Sequence, residues 1–143
     1  MLINDVLKAK PSSEVITIAP DATVRDLLRV LAEHNVGALI VSNDGSSVDG
    51  IVSERDVVRR LNEDEGVLAA PVRQIMTSDV ATCEGGEEAH RLLRLMTDRR
   101  IRHVPVVTDG KLTGVVSIGD IVARRIDELE FERDQLDSYV HQG

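Results

Sequence analysis

Aromatic side chains are nearly absent from this 143-residue sequence, which contains one Phe, one Tyr and no Trp. Phe131 and Tyr139 both lie in the last thirteen residues, so residues 1–130 must fold and bind any ligand without an aromatic ring. Stacking platforms for single-stranded nucleic acid and aromatic cages for cations are therefore not expected. The hydrophobic fraction of 42% predicts one globular domain with an almost purely aliphatic core.

Cysteine and long apolar runs are also scarce. The single cysteine, Cys83, excludes an intrachain disulfide and provides no cluster of thiolate ligands for zinc or iron. No apolar run approaches the roughly 18 residues that a membrane span requires, and the N-terminus lacks the basic-then-apolar pattern of a signal peptide. These observations predict a cytoplasmic protein in a reducing compartment, without a metal site or a membrane partner.

Basic residues are outnumbered, at 17 against 25 acidic residues, which gives a formal net charge of −8. This excess repels phosphate backbones, so nucleic acid is not an expected partner. The segment from residue 127 onward carries −5 of this charge, and residues 1–126 carry only −3. The body of the protein can therefore still hold a local anion site.

The chain contains one internal repeat. Residues 15–44 align with residues 80–109 at a shift of 65, and residues 50–60 align with residues 114–124 at a shift of 64. Identities and conservative apolar pairs cluster in this alignment, which indicates that the two copies share a fold. The identical pairs include Val15/Val80, Thr17/Thr82, Leu27/Leu92, Leu28/Leu93, Arg29/Arg94, Gly50/Gly114, Ser53/Ser117, Asp56/Asp120 and Val58/Val122.

Each copy shows the same order of hydrophobic patterns. Apolar residues spaced i, i+3, i+4, i+7 from Val24 and from Ala89 predict one helix in each copy, and further helices are expected from Glu54 and Ile118. Turn residues predict hairpins at Asn43-Asp44-Gly45 and at Asp109-Gly110. The predicted strands are VITI at 15–18, GALIVS at 37–42 and VDGIVS at 48–53 in the first copy, and VATC at 80–83, HVPVV at 103–107 and LTGVVS at 112–117 in the second.

Two such β-α-β-β-α units are expected to form one domain of the α/β class with mixed sheets. One unit of about 46 residues is too small to be stable alone, whereas two units packed about a pseudo-two-fold axis share one core. The predicted boundaries are 10–62 for repeat 1, 63–79 for the linker, 80–126 for repeat 2 and 127–143 for a C-terminal helical tail. Within the linker, PVRQIM predicts a helical turn that begins at Pro71.

The same short motif ends each unit, as GIVSERDV at 50–57 and GVVSIGDI at 114–121. In one interpretation the serine and the aspartate three residues later form a capping box at a helix N-terminus. In the other, the free N–H groups, the hydroxyl and the carboxylate bind a nucleotide, because a carboxylate can accept both hydrogens of a ribose diol. The two roles are compatible in one geometry.

Two such units in tandem, each closed by this motif, resemble the cystathionine β-synthase (CBS) domain pair, also called a Bateman module, over about residues 1–126. The acidic helical tail is similar to that of stand-alone bacterial proteins in the same family. The family name does not imply that the protein has cystathionine β-synthase activity. The resemblance implies a regulatory module that binds AMP, ADP, ATP, NAD or S-adenosylmethionine in two clefts between the copies.

The resemblance also implies the residues of each cleft. In the Asp120 cleft, Asp120 would bind the ribose hydroxyls, and further contacts would come from Ser117, Thr17, Ala22, Arg102 and His103. Arg102 and His103 match the positions of phosphate-binding basic residues. In the Asp56 cleft the corresponding residues are Asp56, Ser53, Thr82, Gly37 and Ala38, and Arg55 could replace the missing basic charge. We therefore expect two unequal sites, of which the Asp120 cleft binds AMP or ATP more tightly.

Each of these residues also has a structural interpretation. Arg102 could be a solvated charge at a strand edge, and His103 could be a partly buried structural histidine. Arg55 could act only through its surface neighbours, and Thr17 and Thr82 are good strand residues. If adenine is the ligand, it must lie among aliphatic and backbone groups, which the alignment places near Ile18, Ala38, Cys83 and Val104.

Catalysis has little support in the sequence, since the four histidines show no metal-ligand spacing and no nucleophile and base pair is recognisable. Three functions remain open. The first is a non-catalytic adenine-nucleotide sensor that regulates an unknown partner protein, the second is a ligand-free interaction scaffold, and the third is a nucleotide-dependent enzyme. The sequence favours the first.

The tail raises a separate question of assembly. Apolar residues at Ile126, Leu129, Leu136 and Val140 predict a helix from 118 to about 141 that is too long to be covered by its own domain. It either packs on a second protomer or is a frayed surface helix. A homodimer is expected, since the resemblance implies that isolated CBS pairs associate.

Overall fold

The computed structural model describes residues 1–12 and 14–142. Ser13 and Gly143, which fall within the predicted first repeat and the predicted tail, lie outside the described residues. The helices are α1 Ile3–Lys8, α2 Val24–His34, α3 Glu54–Glu63, α4 Ala89–Arg99 and α5 Ile118–Gln142. The strands are β1 Thr17–Ile18, β2 Ala38–Val41, β3 Gly50–Ser53, β4 His103–Thr108 and β5 Lys111–Ser117, and 3₁₀ turns span Glu65–Ala69 and Val72–Gln74.

The strands form two small sheets, one for each repeat. In the first, β1 is parallel to β2 and β2 is antiparallel to β3. In the second, β4 and β5 form an antiparallel hairpin. The strand predicted at 80–83 is reduced to Cys83, which bridges β4 in parallel through hydrogen bonds of 3.1 Å to the Pro105 carbonyl and 2.8 Å from the Val107 N–H. The chain turns directly afterwards, where the Glu87 N–H donates to the Glu84 carbonyl, so the ladder ends there.

Both predicted hairpins are present. Asp109 and Gly110 have φ values of 52° and 77°, the left-handed conformation that a tight two-residue hairpin requires. In the first hairpin the connection is longer, and the Asp44 carboxylate accepts the N–H groups of Ser46 and Ser47 at 2.8 Å each. These bonds lower the pKa of Asp44 to about 2.

The buried apolar residues form two clusters, one for each repeat. The predicted single shared core is therefore wrong. A segment outside the repeats completes each cluster: the first helix of the chain completes the second cluster, and the 3₁₀ turns of the linker complete the first. Helix α1 contributes Ile3 and Val6 to the second cluster, and the 3₁₀ turns contribute Val67 and Val72 to the first. Helix α1 therefore ties the start of the chain to the second repeat, whereas the 3₁₀ turns cover the first repeat, which they directly follow.

The two repeats match each other in local detail, as expected for packing about a pseudo-two-fold axis. Helices α2 and α4 are both followed by a left-handed residue, Asn35 with φ 51° and Arg100 with φ 55°. The Glu54 N–H at the start of α3 donates to the Gly37 carbonyl at 3.0 Å, and the Ile118 N–H at the start of α5 donates to the Arg102 carbonyl at 2.9 Å. The structure is therefore an α/β pair of repeats followed by a C-terminal helix.

Helix α5 continues far beyond the second repeat. Its 25 residues extend for about 37 Å at 1.5 Å per residue, and residues 129–141 are exposed throughout. The helix predicted from 118 to about 141 is confirmed. None of the helices in the described ranges combines the length and the apolarity needed to cross a membrane.

Candidate functional site

The serine and aspartate of each repeated motif form a reciprocal cap at a helix N-terminus. At α3 the Ser53 N–H donates to Asp56 Oδ2 at 2.8 Å, and the Asp56 N–H donates to Ser53 Oγ at 3.4 Å. At α5 the equivalent distances are 2.9 Å and 3.0 Å between Ser117 and Asp120. The capping interpretation is confirmed, and the caps hold both carboxylates in fixed orientations.

Each capping carboxylate keeps one oxygen available. In both aspartates the backbone bond from the serine is made to Oδ2, and within residues 1–12 and 14–142 no hydrogen bond reaches Oδ1. Asp56 and Asp120 are half-buried and each lines a cavity. An ionised carboxylate oxygen accepts hydrogen bonds only, so each site can bind a ligand that presents hydroxyl or N–H donors.

The cavity beside Asp56 has a volume of about 510 Å³ and lies between the two repeats. Five arginines and three carboxylates line it, so its lining is net positive. The arginines are Arg55, Arg59, Arg99, Arg100 and Arg102, and the acids are Glu54, Asp56 and Asp79.

The cavity beside Asp120 is smaller, at about 370 Å³, and carries less charge. Its charged lining residues are Lys10, Glu14 and Asp120. Gly37, Ala38 and His103 line both cavities, so the starts of β2 and β4 lie where the two clefts meet.

Lys10 is held inside the Asp120 cleft. Its Nζ lies 3.0 Å from Asp120 Oδ2 and donates to the Val115 carbonyl at 2.9 Å. Burial alone would raise the pKa of Asp120, but the hydrogen bonds from Ser117 and the ion pair with Lys10 outweigh it and hold the pKa below its usual value. Asp120 is therefore ionised at neutral pH.

His103 has a neutral imidazole at neutral pH. Burial lowers its pKa below the usual value, and the positive charges of Lys10 and Arg102 act in the same direction. The carboxylates of Asp120 and Glu54 oppose this shift without reversing it. An anionic ligand beside the imidazole would favour its protonation.

The structure changes the predicted assignment of Arg102. Its carbonyl accepts the first N–H of α5, next to Ser117, as the alignment suggested. The side chain nevertheless lines the Asp56 cavity and does not line the Asp120 cavity. Neighbouring residues of an extended chain direct their side chains to opposite sides, and of Arg102 and His103 only His103 reaches both cavities. The cleft that was expected to lack a phosphate-binding charge is the one that holds the arginines.

The structure does not bring Thr17, Ala22 or Thr82 into either cavity lining. Ala22 packs against the first core cluster, and Thr17 lies in β1 opposite Ile40. The side chains that line the clefts come from one residue earlier in each copy, Ile16 and Ala81, because side chains alternate along extended chain.

The predicted apolar surroundings of a base are also corrected. Ile18, Cys83 and Val104 are buried in the core clusters, and only Ala38 of that set lines the clefts. The aliphatic lining of the Asp56 cavity is Ile51, Val80, Ala81 and Ile101, and that of the Asp120 cavity is Ile16, Val36, Leu39 and Val115. Among the described residues, no Phe, Tyr or Trp lines either cavity, and His103 supplies the one ring at both.

The sequence interpretation missed several charged lining residues. Arg99 and Arg100 end α4 just before Arg102, and the run RRIRH was the signal that could have identified a basic surface. Lys10 has no such signal, because it lies before the segments that align between the two repeats.

Other reactive side chains are placed in the core or on the surface. Cys83 is buried, and burial with the nearby Glu87 carboxylate raises its pKa to about 12, so its thiol stays protonated. In the described part of the chain no three His, Cys, Asp or Glu side chains are grouped to hold a metal ion.

Known proteins share this architecture. The family model described as "CBS domain" matches residues 3–63 and 72–127. The mitochondrial CBS domain-containing protein CBSX3 of Arabidopsis thaliana is 36% identical over 149 aligned residues, which cover 99% of this chain and 72% of that protein. The crystal structure of a CBS-domain-containing protein from Agrobacterium tumefaciens is 34% identical with a TM-score of 0.83, and the match covers 87% of this chain and 99% of that one.

A further relative was solved with ligands. The CBS domain pair of protein MJ0100, in complex with 5′-methylthioadenosine and S-adenosyl-L-methionine, is 25% identical with a TM-score of 0.76, and the match covers 86% of this chain and 98% of that one. The fold, the repeated Ser-x-x-Asp caps and these matches lead to one conclusion: the chain belongs to the CBS-domain family, in which it is a tandem pair.

Proposed function

We propose that this protein is a non-catalytic regulatory module that binds adenosine-containing ligands in the two clefts between its repeats. AMP, ADP, ATP, NAD and S-adenosylmethionine are the ligands considered. Asp56 and Asp120 bind the ribose hydroxyls, and Ser53 and Ser117 hold the carboxylates in place. The complex of the related MJ0100 domain pair with two adenosine-containing molecules supports this choice of ligand class.

One observation carries the proposal. In both repeats the carboxylate of a helix-capping aspartate is fixed through Oδ2 while Oδ1 receives no hydrogen bond from the described residues. A cap alone requires only one carboxylate oxygen, so the repeated second oxygen at a cavity wall is available to a ligand. A vicinal diol can donate two hydrogen bonds to such a group.

Regulation follows from where the clefts lie. The Asp56 cavity is lined by β3 and α3 of the first repeat and by Val80, Ala81 and Arg102 of the second. A ligand that contacts both repeats binds one relative arrangement more tightly than others, and its occupancy shifts the population toward that arrangement. A partner protein that recognises one arrangement would thereby respond to the ligand.

We also propose that the protein forms a homodimer. Exposed apolar side chains occur at equivalent places in the two repeats, Val58 on α3 and Val122 on α5, each more than 40% exposed. They continue along α5 through Ile126 and Leu129. A second copy related by a two-fold axis presents the same pair of helices and can cover this surface symmetrically.

The experiment that tests ligand binding is a titration followed by calorimetry and thermal unfolding. Adenosine, AMP, ADP, ATP, NAD and S-adenosylmethionine are each added to the intact chain and to Asp56→Asn and Asp120→Asn. Binding to the intact chain should raise the unfolding temperature, and each substitution should weaken one site by about tenfold. Lys8→Gln, an exposed change outside both cavities, is the control. Absence of any stabilisation at millimolar ligand leaves the scaffold function instead.

A further inference from the structure

We propose that the two clefts take ligands of different charge, with the Asp56 cleft binding the di- or triphosphate of a nucleoside and the Asp120 cleft binding an adenosine compound that carries no phosphate chain. This inference rests on the proposed function and adds the ligand class of each cleft. It reverses the expectation that the Asp120 cleft is the phosphate site.

When the two repeats are aligned, the main difference between the clefts is the charge of the residues that line them. Every arginine of the Asp56 lining has an uncharged or weakly basic counterpart in the other repeat. The pairs are Arg55/Gly119, Arg59/Ala123, Arg99/His34, Arg100/Asn35 and Arg102/Gly37. Both clefts keep the capping aspartate and an acid before the first strand, Asp79 or Glu14. The ribose-binding group is thus common to both clefts, and the guanidinium groups are confined to one.

The five arginines are available to a ligand. Each is exposed, and throughout the described ranges 1–12 and 14–142 no carboxylate oxygen lies within 4.0 Å of any of them. Of the nine arginines outside the cavity, only Arg29, Arg73, Arg125 and Arg133 have such a partner among the described residues, so the cavity arginines are distinguished by their grouping around one cleft. The lining sums to +2 with His103 neutral. Guanidinium groups bind phosphate through paired hydrogen bonds, so this cluster suits a chain of phosphates.

The Asp120 cleft has the opposite balance. Its single permanent cation, Lys10, is already paired with Asp120 and bonded to the Val115 carbonyl. With Glu14 the lining sums to −1. A triphosphate entering this cleft would meet net repulsion and only one Lys10 N–H that is not already donated, whereas a neutral or cationic adenosine compound does not meet that repulsion.

The test compares ligands that differ only in phosphate number, in a buffer without divalent cations. Adenosine, AMP, ADP, ATP and inorganic triphosphate are titrated calorimetrically into the intact chain, the double variant Arg55→Gln/Arg102→Gln and the control Arg91→Gln. Arg91 is exposed on α4, outside both cavities, and its substitution also removes a guanidinium charge. The intact chain and the control should bind ATP about tenfold or more tightly than adenosine at one site, and the double variant should lose most of that gain.

A second variant moves charge into the other cleft. Asn35→Arg places a guanidinium at a left-handed backbone position that the counterpart Arg100 already occupies, so the fold should tolerate it. The Asp120 cleft should then bind ATP several-fold more tightly than before, a gain that Asp120→Asn removes. The fold of each variant is checked by circular dichroism.

The outcomes separate the two proposals. If adenosine binds but ATP binds no more tightly, or if the double variant behaves like Arg91→Gln, the inference is overturned and the proposed function stands. If ATP and inorganic triphosphate bind in an arginine-dependent way but adenosine does not, the phosphate site is supported and the adenosine function fails. If no compound binds, both proposals are overturned.

Discussion

His103 is a residue through which both clefts should respond to pH. Its side chain lines both cavities, and burial lowers its pKa below the usual value near 6.5. The neutral form is favoured in the folded state, so this residue's contribution to stability is complete above about pH 6.5 and is lost as the pH falls through its folded-state pKa. We expect His103→Gln to flatten that part of the stability profile, as measured by urea unfolding across the acidic range.

A phosphate beside His103 should reverse this preference. The negative charge raises the pKa of the imidazole, so binding takes up a proton when the pH lies between the free and the bound pKa values. Phosphorylated ligands should therefore bind more tightly as the pH falls through the bound-state pKa, and adenosine should not. Calorimetry in buffers of different ionisation enthalpy measures the proton uptake. An equal proton uptake in His103→Gln would contradict this role.

The ion pair between Lys10 and Asp120 is the second residue-scale feature. Both side chains are about a quarter exposed, so solvent screens the pair only in part. Lys10→Gln should raise the pKa of Asp120 and lower the free energy of unfolding by about 1 kcal/mol at neutral pH. Asp120 has a lowered folded-state pKa, so its stabilising effect exists above its unfolded value of about 3.8 and is lost as the pH falls through the folded value.

Urea unfolding of the intact chain and Lys10→Gln at neutral and strongly acidic pH measures this effect. The stability difference between the two should shrink once Asp120 is protonated. Lys8→Gln, two residues earlier and exposed, is the control and should match the intact chain. A difference that does not change with pH would assign the role of Lys10 to its hydrogen bond with Val115 alone.

At the scale of elements, α1 belongs to the core of the second repeat although it precedes the first. Ile3 and Val6 are fully buried there with Val104 and Val116. Ile3→Ala should cost about 2–4 kcal/mol of unfolding free energy, because it leaves a cavity in that cluster. Amide hydrogen exchange should lose protection first at Val104 and Val116, before the first cluster is affected.

The matched control is Lys8→Ala on the same helix, which is exposed and should change stability by less than about 0.5 kcal/mol. A uniform loss of protection in both clusters of Ile3→Ala would instead show that the two repeats unfold as one cooperative unit. It would contradict the expectation that the second cluster opens before the first.

The elements also show how far the sequence predicts this structure. The helix starts at Glu54 and Ile118 and both hairpins are confirmed, because capping residues and turn glycines act locally. The packing of α1 could not be predicted, since nothing in its local pattern states which repeat it covers. The direction of the Arg102 side chain was missed because its backbone lies beside one cleft, whereas its side chain, just before β4, lines the other.

At the scale of the whole molecule, α5 combines an acidic surface with apolar side chains that its own repeats do not cover. Leu136, Tyr139 and Val140 are 65–78% exposed. Burial of such side chains is worth about 25 cal/mol per Å² of apolar surface, which favours association, while the acidic charges on the same helix oppose it. The proposed dimer should therefore strengthen with added salt, unlike an assembly held by opposite charges.

Removal of residues 128–143 tests this contribution. The shortened chain keeps α3 and the first part of α5, including Val58 and Val122, so a dimer should still form. It should dissociate at a higher protein concentration than the intact dimer, with a dissociation constant raised by about tenfold. Light scattering with size-exclusion chromatography over a dilution series measures the mass. Leu129→Glu/Leu136→Glu should weaken the dimer in the full-length chain, whereas the exposed Glu130→Gln, which leaves the apolar side chains intact, should not. An unchanged mass for the shortened chain at low micromolar concentration would exclude the tail from the interface and leave Val58 and Val122 as the surface to test next.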